Sequence, residues 1–202
     1  MIRTNVTATG AALSSLLPSR RTLLVRGGQA ALSATAIAIL AGCESMAGSK
    51  TANADSMAND VDILNTALGL EYEGIAAYQV GAESGLLSQP VLDLAVTFQG
   101  HHKEHADVLA ATVTKLGGTP VAPMMASEYG FPVDQLKSER DVIAFAAGLE
   151  QGAASAYLGA VPLFGDRELA KAAASILGDE AMHWAVLRYA LGEAPVPGAF
   201  IA

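Results

Sequence analysis

Three of the four histidines in this 202-residue chain fall inside one decamer, GHHKEHADVL at 100–109. The fourth, His183, follows Glu180 by three residues in GDEAMHWAVL at 178–187. Imidazole and carboxylate are the common ligands of transition-metal ions, so histidines this dense beside glutamates point to metal chemistry. Adjacent residues of a helix cannot all face one way, however. Successive side chains turn by about 100°, whereas residues three or four apart share a face. His102 and His105 therefore belong to one face, and Glu180 and His183 share a face on which they can chelate together. Glu104, about 200° round from His102, points elsewhere; His101, about 100° round, lies beside the seam.

Positioning these residues falls to helices. No stretch alternates with period two over a useful length, while apolar residues recur every three or four. A first segment, about 60–83, carries the stripe Val61, Leu64, Leu68, Glu71, Ile75, Tyr78, Ala82. A second opens at Pro90 and runs to Gly117-Gly118, with Ala95, Phe98, His102, His105, Leu109, Thr112 and Leu116 on one face. A third starts at Ser138, capped with Asp141, and aligns Ile143, Ala146, Glu150, Ala153, Tyr157 and Ala160. The fourth, from about Asp166 to Gly192, aligns Leu169, Ala173, Ile176, Glu180, His183, Leu187 and Ala190. Short connections at SGLLSQ and PLFG predict two antiparallel hairpins. About 20 residues between the second and third segments suffice to cross the length of a bundle. The expected fold is all-α: a four-helix bundle, up-down-down-up, with one long crossover. The tail, PVPGAF at 195–200, is expected to pack over one end.

Each stripe has a polar interruption near its middle: Glu71; His102 with His105; Glu150; Glu180 with His183. Singly, each has a plain reading, as a rim glutamate reaching water or a hydrogen-bonded core histidine. Together they do not, because each unpartnered buried carboxylate costs several kcal/mol, a large part of a domain's net stability. Bound cations are the shared compensator that suits both residue types. An internal repeat adds to this. Gly69-Leu70-Glu71 with Tyr78 recurs as Gly148-Leu149-Glu150 with Tyr157, and Gly100, His105 and Leu109 recur as Gly178, His183 and Leu187. Two copies of one hairpin about a pseudo-twofold axis would bring the four polar patches together.

Glutamates on the first and third helices with Glu-x-x-His on the second and fourth is the pattern of the ferritin-like dinuclear carboxylate proteins, and residues 59–192 resemble that superfamily. The resemblance implies metal ligation by Glu71, His105, Glu150, Glu180 and His183. It implies iron or manganese, one ion or two, with zinc a further candidate. The departure is His102, which aligns with Glu180, so the second helix reads His-x-x-His. In that superfamily the two Glu-x-x-His glutamates bridge the metals, so the resemblance implies a single bridge, Glu180, and three carboxylates against two divalent ions leave a net charge near +1. Imidazole at His102 also tilts preference towards later, softer ions. Tyr78, Tyr157 and His101 are candidates for the layer of hydrogen-bond partners around the ligands.

The ends bear on location. Residues 1–42 hold four arginines and no acidic residue, with SRRTLLV at 19–25, a small-residue apolar run AALSATAIAIL at 30–40, and LAGC at 40–43. That is the layout of an export signal, too short and alanine-rich for a spanning helix. Arg20-Arg21 resembles a twin-arginine (Tat) signal and LAGC a lipobox, which imply export to the periplasm or cell envelope with a lipid on Cys43, the sole cysteine. Residues 43–58 read as a flexible tether and 59–202 as the domain. Beyond the leader stand all 20 acidic residues and the eight remaining basic ones, a balance of −12, which argues against nucleic acid as a partner. The membrane, through the lipid, is the expected partner, and a homodimer is compatible with the fold. The expected function is metal binding or oxidative-stress protection. The alternatives are a di-metal oxidase or peroxidase acting on oxygen or peroxide, and a structural bundle with a vestigial, metal-free site.

Overall fold

The structure, a computed structural model, describes residues 54–201. The expected signal segment, Cys43 and most of the expected tether lie outside the described residues. Among those described are four long helices and no strand: α1 (Ala54–Glu83), α2 (Gln89–Lys115), α3 (Glu139–Ala160) and α4 (Arg167–Ala190). Short 3-10 turns at Ala126–Glu128 and Val133–Gln135 punctuate the α2–α3 connection, and another, Val161–Leu163, continues α3.

Local chemistry sets the boundaries. Pro90 lies in the first turn of α2, and Gly117 ends that helix at φ 84°, a left-handed conformation that glycine adopts without a Cβ penalty. Ser138 accepts a hydrogen bond from Asp141 N at the start of α3, while Asp166 accepts from Glu168 N and Leu169 N at the start of α4. Only α1 departs from expectation. It starts at Ala54, inside the stretch read as tether, because ADSMA contains no glycine or proline to stop a helix from growing back from its packed part.

Hydrogen bonds between elements fix the directions. Asp60, buried on the first turns of α1, accepts from Gly165 N at 2.8 Å and Asp166 N at 3.1 Å, so α1 begins where α3 ends and α4 begins. Glu139 accepts from Ser88 N, so α3 begins where α1 ends and α2 begins. Arg140 donates to Leu191 O, bringing the end of α4 to that same end of the bundle. The order is up-down-down-up, and the α2–α3 connection must run the length of the bundle. Asn65 holds it on the way, donating to Thr119 O and accepting from Val121 N.

The apolar interior falls into two clusters. Leu64, Leu68, Leu109, Val113, Leu169 and Ile176 lead one; Phe98, Ile143, Ala147 and Leu187, with Tyr78, form most of the other. Between them lies a layer of buried polar side chains. The tail does not cap the bundle as expected: Val196 and Phe200 are 75% and 93% exposed. Arg188 secures the chain only as far as Ala194, through a hydrogen bond from Nε to its carbonyl, and Pro195 and Pro197 have no N–H with which to continue that docking.

Candidate metal centre

The polar layer is built from the mid-helix residues of all four stripes. Glu71, Glu150, Glu180, His102 and His183 are 0–3% exposed, as buried as the leucines around them. His105 is nearly so, with 15% of its side chain exposed. They form two overlapping groups, one of Glu71, His102, His105 and Glu180, the other of His102, Glu150, Glu180 and His183, each with candidate ligand atoms within 4.8 Å of one another. Glu180 and His102 belong to both. Glu104 and Lys103 are exposed, as the helical angles require.

The two groups mirror each other. His105 Nδ1 lies 3.5 Å from Glu71 Oε2 and 3.2 Å from Glu180 Oε1. His183 Nδ1 lies 3.3 Å from Glu150 Oε1 and 3.5 Å from Glu180 Oε2. The tyrosines follow the same symmetry, crossed between hairpins. Tyr157 of α3 donates to Glu71 of α1 at 2.5 Å, and Tyr78 of α1 donates to Glu150 of α3. His102 breaks the mirror by lying between the two glutamates, with Nδ1 2.8 Å from Glu71 Oε2 and Nε2 3.3 Å from Glu150 Oε1.

The same contacts set the electrostatics. Burial opposes charge on His105, yet the carboxylates of Glu180 at 3.2 Å and Glu71 at 3.5 Å outweigh it and push its pKa up to about 10. His183 rises to about 9 against burial, through Glu150 and Glu180, and His102 rises well above the usual range through Glu150 and Glu71. Burial alone would raise Glu71, but the hydrogen bond with His102 and the nearby His105 ring hold it down at about 2. Burial, then the charges of Glu150 and Glu71 respectively, push Tyr78 and Tyr157 up, so both remain hydrogen-bond donors.

Pairing among the side chains is nonetheless incomplete. His105 Nδ1, His183 Nδ1, both Glu180 oxygens and Glu150 Oε2 are buried without a hydrogen-bond partner. Buried polar atoms left in this state cost about 1–3 kcal/mol each. They are also imidazole and carboxylate atoms turned towards one another, the donor set that transition metals take. The cluster is therefore compatible with bound metal ions.

Two contributors were not singled out in the sequence. Asp179, immediately before Glu180, lies with Oδ2 3.3 Å from His183 Nε2 and 3.5 Å from His105 Nε2, on the far side of both rings from the ligand atoms. Such a carboxylate orients a ligating imidazole and raises its basicity. It also supplies the fourth negative charge that the three glutamates lack. Its signal was available in the repeat, where Asp179 aligns with His101 just as Glu180 aligns with His102. The second contributor is Gly74. A Cβ there would stand 3.1 Å from the His102 ring, so the missing side chain makes the space that the imidazole occupies. His101, placed by the sequence beside the seam, is half-buried, with Nδ1 2.9 Å from His183 Nε2 and 3.1 Å from Asp179 Oδ2. On the opposite face, a cavity of about 210 Å³ between α1 and α3 reaches Tyr78, His102 and Glu150 past Gly148 and Gly152.

The profile of the ferritin-like domain family matches residues 59–193. Seven chains of solved structures match. One, a crystal structure of a conserved hypothetical protein, Rv2844, from Mycobacterium tuberculosis, is 24% identical, with a TM-score of 0.60 over 72% of this chain and 99% of that one. Identity at that level shows a shared fold and no more. No curated protein matches.

Proposed function

The chain belongs to the ferritin-like domain family, and on that premise we propose that its bundle binds transition-metal ions in the layer of Glu71, His102, His105, Glu150, Glu180 and His183. The observation that carries this reading is the set of five buried, unpartnered ligand atoms drawn from Glu150, Glu180, His105 and His183. Glu71, His105 and one oxygen of Glu180 would hold one ion; Glu150, His183 and the other oxygen of Glu180 would hold a second. His102, common to both groups, is available to either. Tyr157 and Tyr78 orient the two terminal glutamates, and Asp179 orients both histidines. Iron or manganese follows from the family, and the imidazole-rich set admits zinc. Bound iron or manganese supplies one-electron chemistry with oxygen or peroxide.

The role proposed is metal binding or oxidative-stress protection in the cell envelope. The leader supports that location: Arg20-Arg21 fits export by the twin-arginine route, and LAGC fits anchoring through a lipid on Cys43. Among the described residues no helix is long and apolar enough to cross a membrane. Cys43→Ser should move the exported protein from the membrane to the soluble fraction.

The α1–α3 cavity favours a second reading, catalysis. Sequestration needs no opening of that size beside the ligands, whereas oxygen or peroxide must reach them. At Gly152 an added Cβ meets nothing within 4 Å, so Gly152→Leu should narrow the cavity without disturbing the ligands. Slower peroxide consumption by that variant at equal metal content would support catalysis.

The primary test is metal analysis of protein purified after native export. At least one equivalent of iron, manganese or zinc is expected. A metal-free protein that also takes up none of these ions in vitro would overturn the reading.

A further inference from the structure

The α2–α4 side of the polar layer carries a second arrangement of ligand atoms. Asp179 Oδ2 lies 3.1 Å from His101 Nδ1 and 3.3 Å from His183 Nε2, and the two nitrogens are 2.9 Å apart. Ligands bound to one ion at about 2.0–2.2 Å sit about 3–3.5 Å from one another, so these three atoms match the edges of a coordination shell. Exposure falls along the group, from 40% of the His101 side chain to 23% of Asp179 and 2% of His183. It therefore runs from solvent to the inner layer.

We propose that His101, Asp179 and His183 form an outer capture site that takes up a divalent transition ion and passes it to the inner layer. The inference rests on the metal-binding reading above. His183 is the hinge of the exchange. It presents Nε2 to the outer group and Nδ1 to Glu150 and Glu180. A neutral imidazole has one lone pair, so His183 serves one site at a time. While the inner layer is unfilled, Nε2 completes the outer site. Once Nδ1 binds an inner ion, the ring proton resides on Nε2, where Asp179 accepts its hydrogen bond, and the outer site loses a ligand. No electron transfer is involved: the incoming ion displaces the Nε2 proton to solvent, and as it moves to the inner layer the Nδ1 proton is released and Nε2 takes one up from solvent. Capture and storage are thus sequential, and a fully loaded protein holds little metal outside.

Cobalt(II) uptake by the full exported chain, followed by stopped-flow visible absorption, tests this. The wild type should show a fast phase whose rate rises with cobalt concentration, then a slower phase independent of it. His101→Ala should lose the fast phase and load more slowly, because Asp179 and His183 alone leave the outer group one ligand short. His101→Gln should behave likewise, because it keeps a hydrogen-bond partner for Asp179 but not an imidazole. The half-exposed position of His101 allows both variants to fold, which circular dichroism checks. Two-phase loading at wild-type rates in either variant overturns the capture site while leaving the inner site standing. A wild type that takes up no cobalt overturns the metal-binding reading, and the capture site with it.

Discussion

The α1–α2 and α3–α4 hairpins carry the same framework at the same register but differ in the two residues that precede the shared histidine by four and three. In α4 these are Asp179 and Glu180; in α2 they are His101 and His102. The substituted pair does not face away from its counterpart. His101 lies 3.1 Å from Asp179, and His102 lies between the two terminal glutamates. One hairpin therefore brings two additional carboxylates to the centre and the other two additional imidazoles. The repeat has diverged so that carboxylates of one hairpin face imidazoles of the other. The divergence extends to packing: three residues after the terminal glutamate stands Gly74, against the His102 ring, in one hairpin and Ala153 in the other.

The comparison can be broken most severely at Glu180, the single carboxylate common to both ligand groups. Glu180→Gln should lower metal affinity by more than the roughly 10–100-fold typical of losing an outer partner, read by chelator competition. If affinity were unchanged, Glu180 would not be the carboxylate that the two groups share. Asp179→Asn removes the acceptor serving both histidines and should weaken binding within that 10–100-fold range, with the fold retained by circular dichroism. His102→Glu restores the symmetric Glu-x-x-His pair. Competition between iron(II) and zinc should then shift towards iron by about tenfold, since carboxylate replaces a softer ligand. Packing gives the smallest effect. Gly74→Ala gains about 0.5–1 kcal/mol of helix preference, yet it crowds His102 and should cost about 1–3 kcal/mol in strain, so the melting temperature falls. Ala153→Gly should cost only the helix preference, about 0.5–1 kcal/mol. A melting temperature raised by Gly74→Ala, the mirror of the fall for Ala153→Gly, would show that Gly74 is not there for His102.

Much of the fold was legible because helices advertise their buried faces locally. The stripe through Leu169, Ile176, Glu180, His183 and Leu187 is buried along its length in α4, and Pro90, Ser138 and Asp166 mark helix starts through backbone chemistry confined to a few residues. The polar layer was legible for the same reason, its members falling on the stripes. The start of α1 was less so: nothing in the sequence of 54–58 distinguishes a polar tether from the first turns of a helix. The tail was misread because PVPGAF is apolar in composition, and composition alone does not say whether a surface exists for it to cover.

Sequence by itself determined which residues share a helix face, and the repeat determined that two such faces meet, since both follow from 3.6 residues per turn and from one unit used twice. Only the tertiary structure decided the partners. That Tyr157 serves Glu71 and Tyr78 serves Glu150, that Asp179 reaches both His105 and His183, and that Gly74 opens space for His102 are contacts between helices. Their geometry depends on how far apart and how rotated the helices sit once packed, which no spacing along one chain specifies.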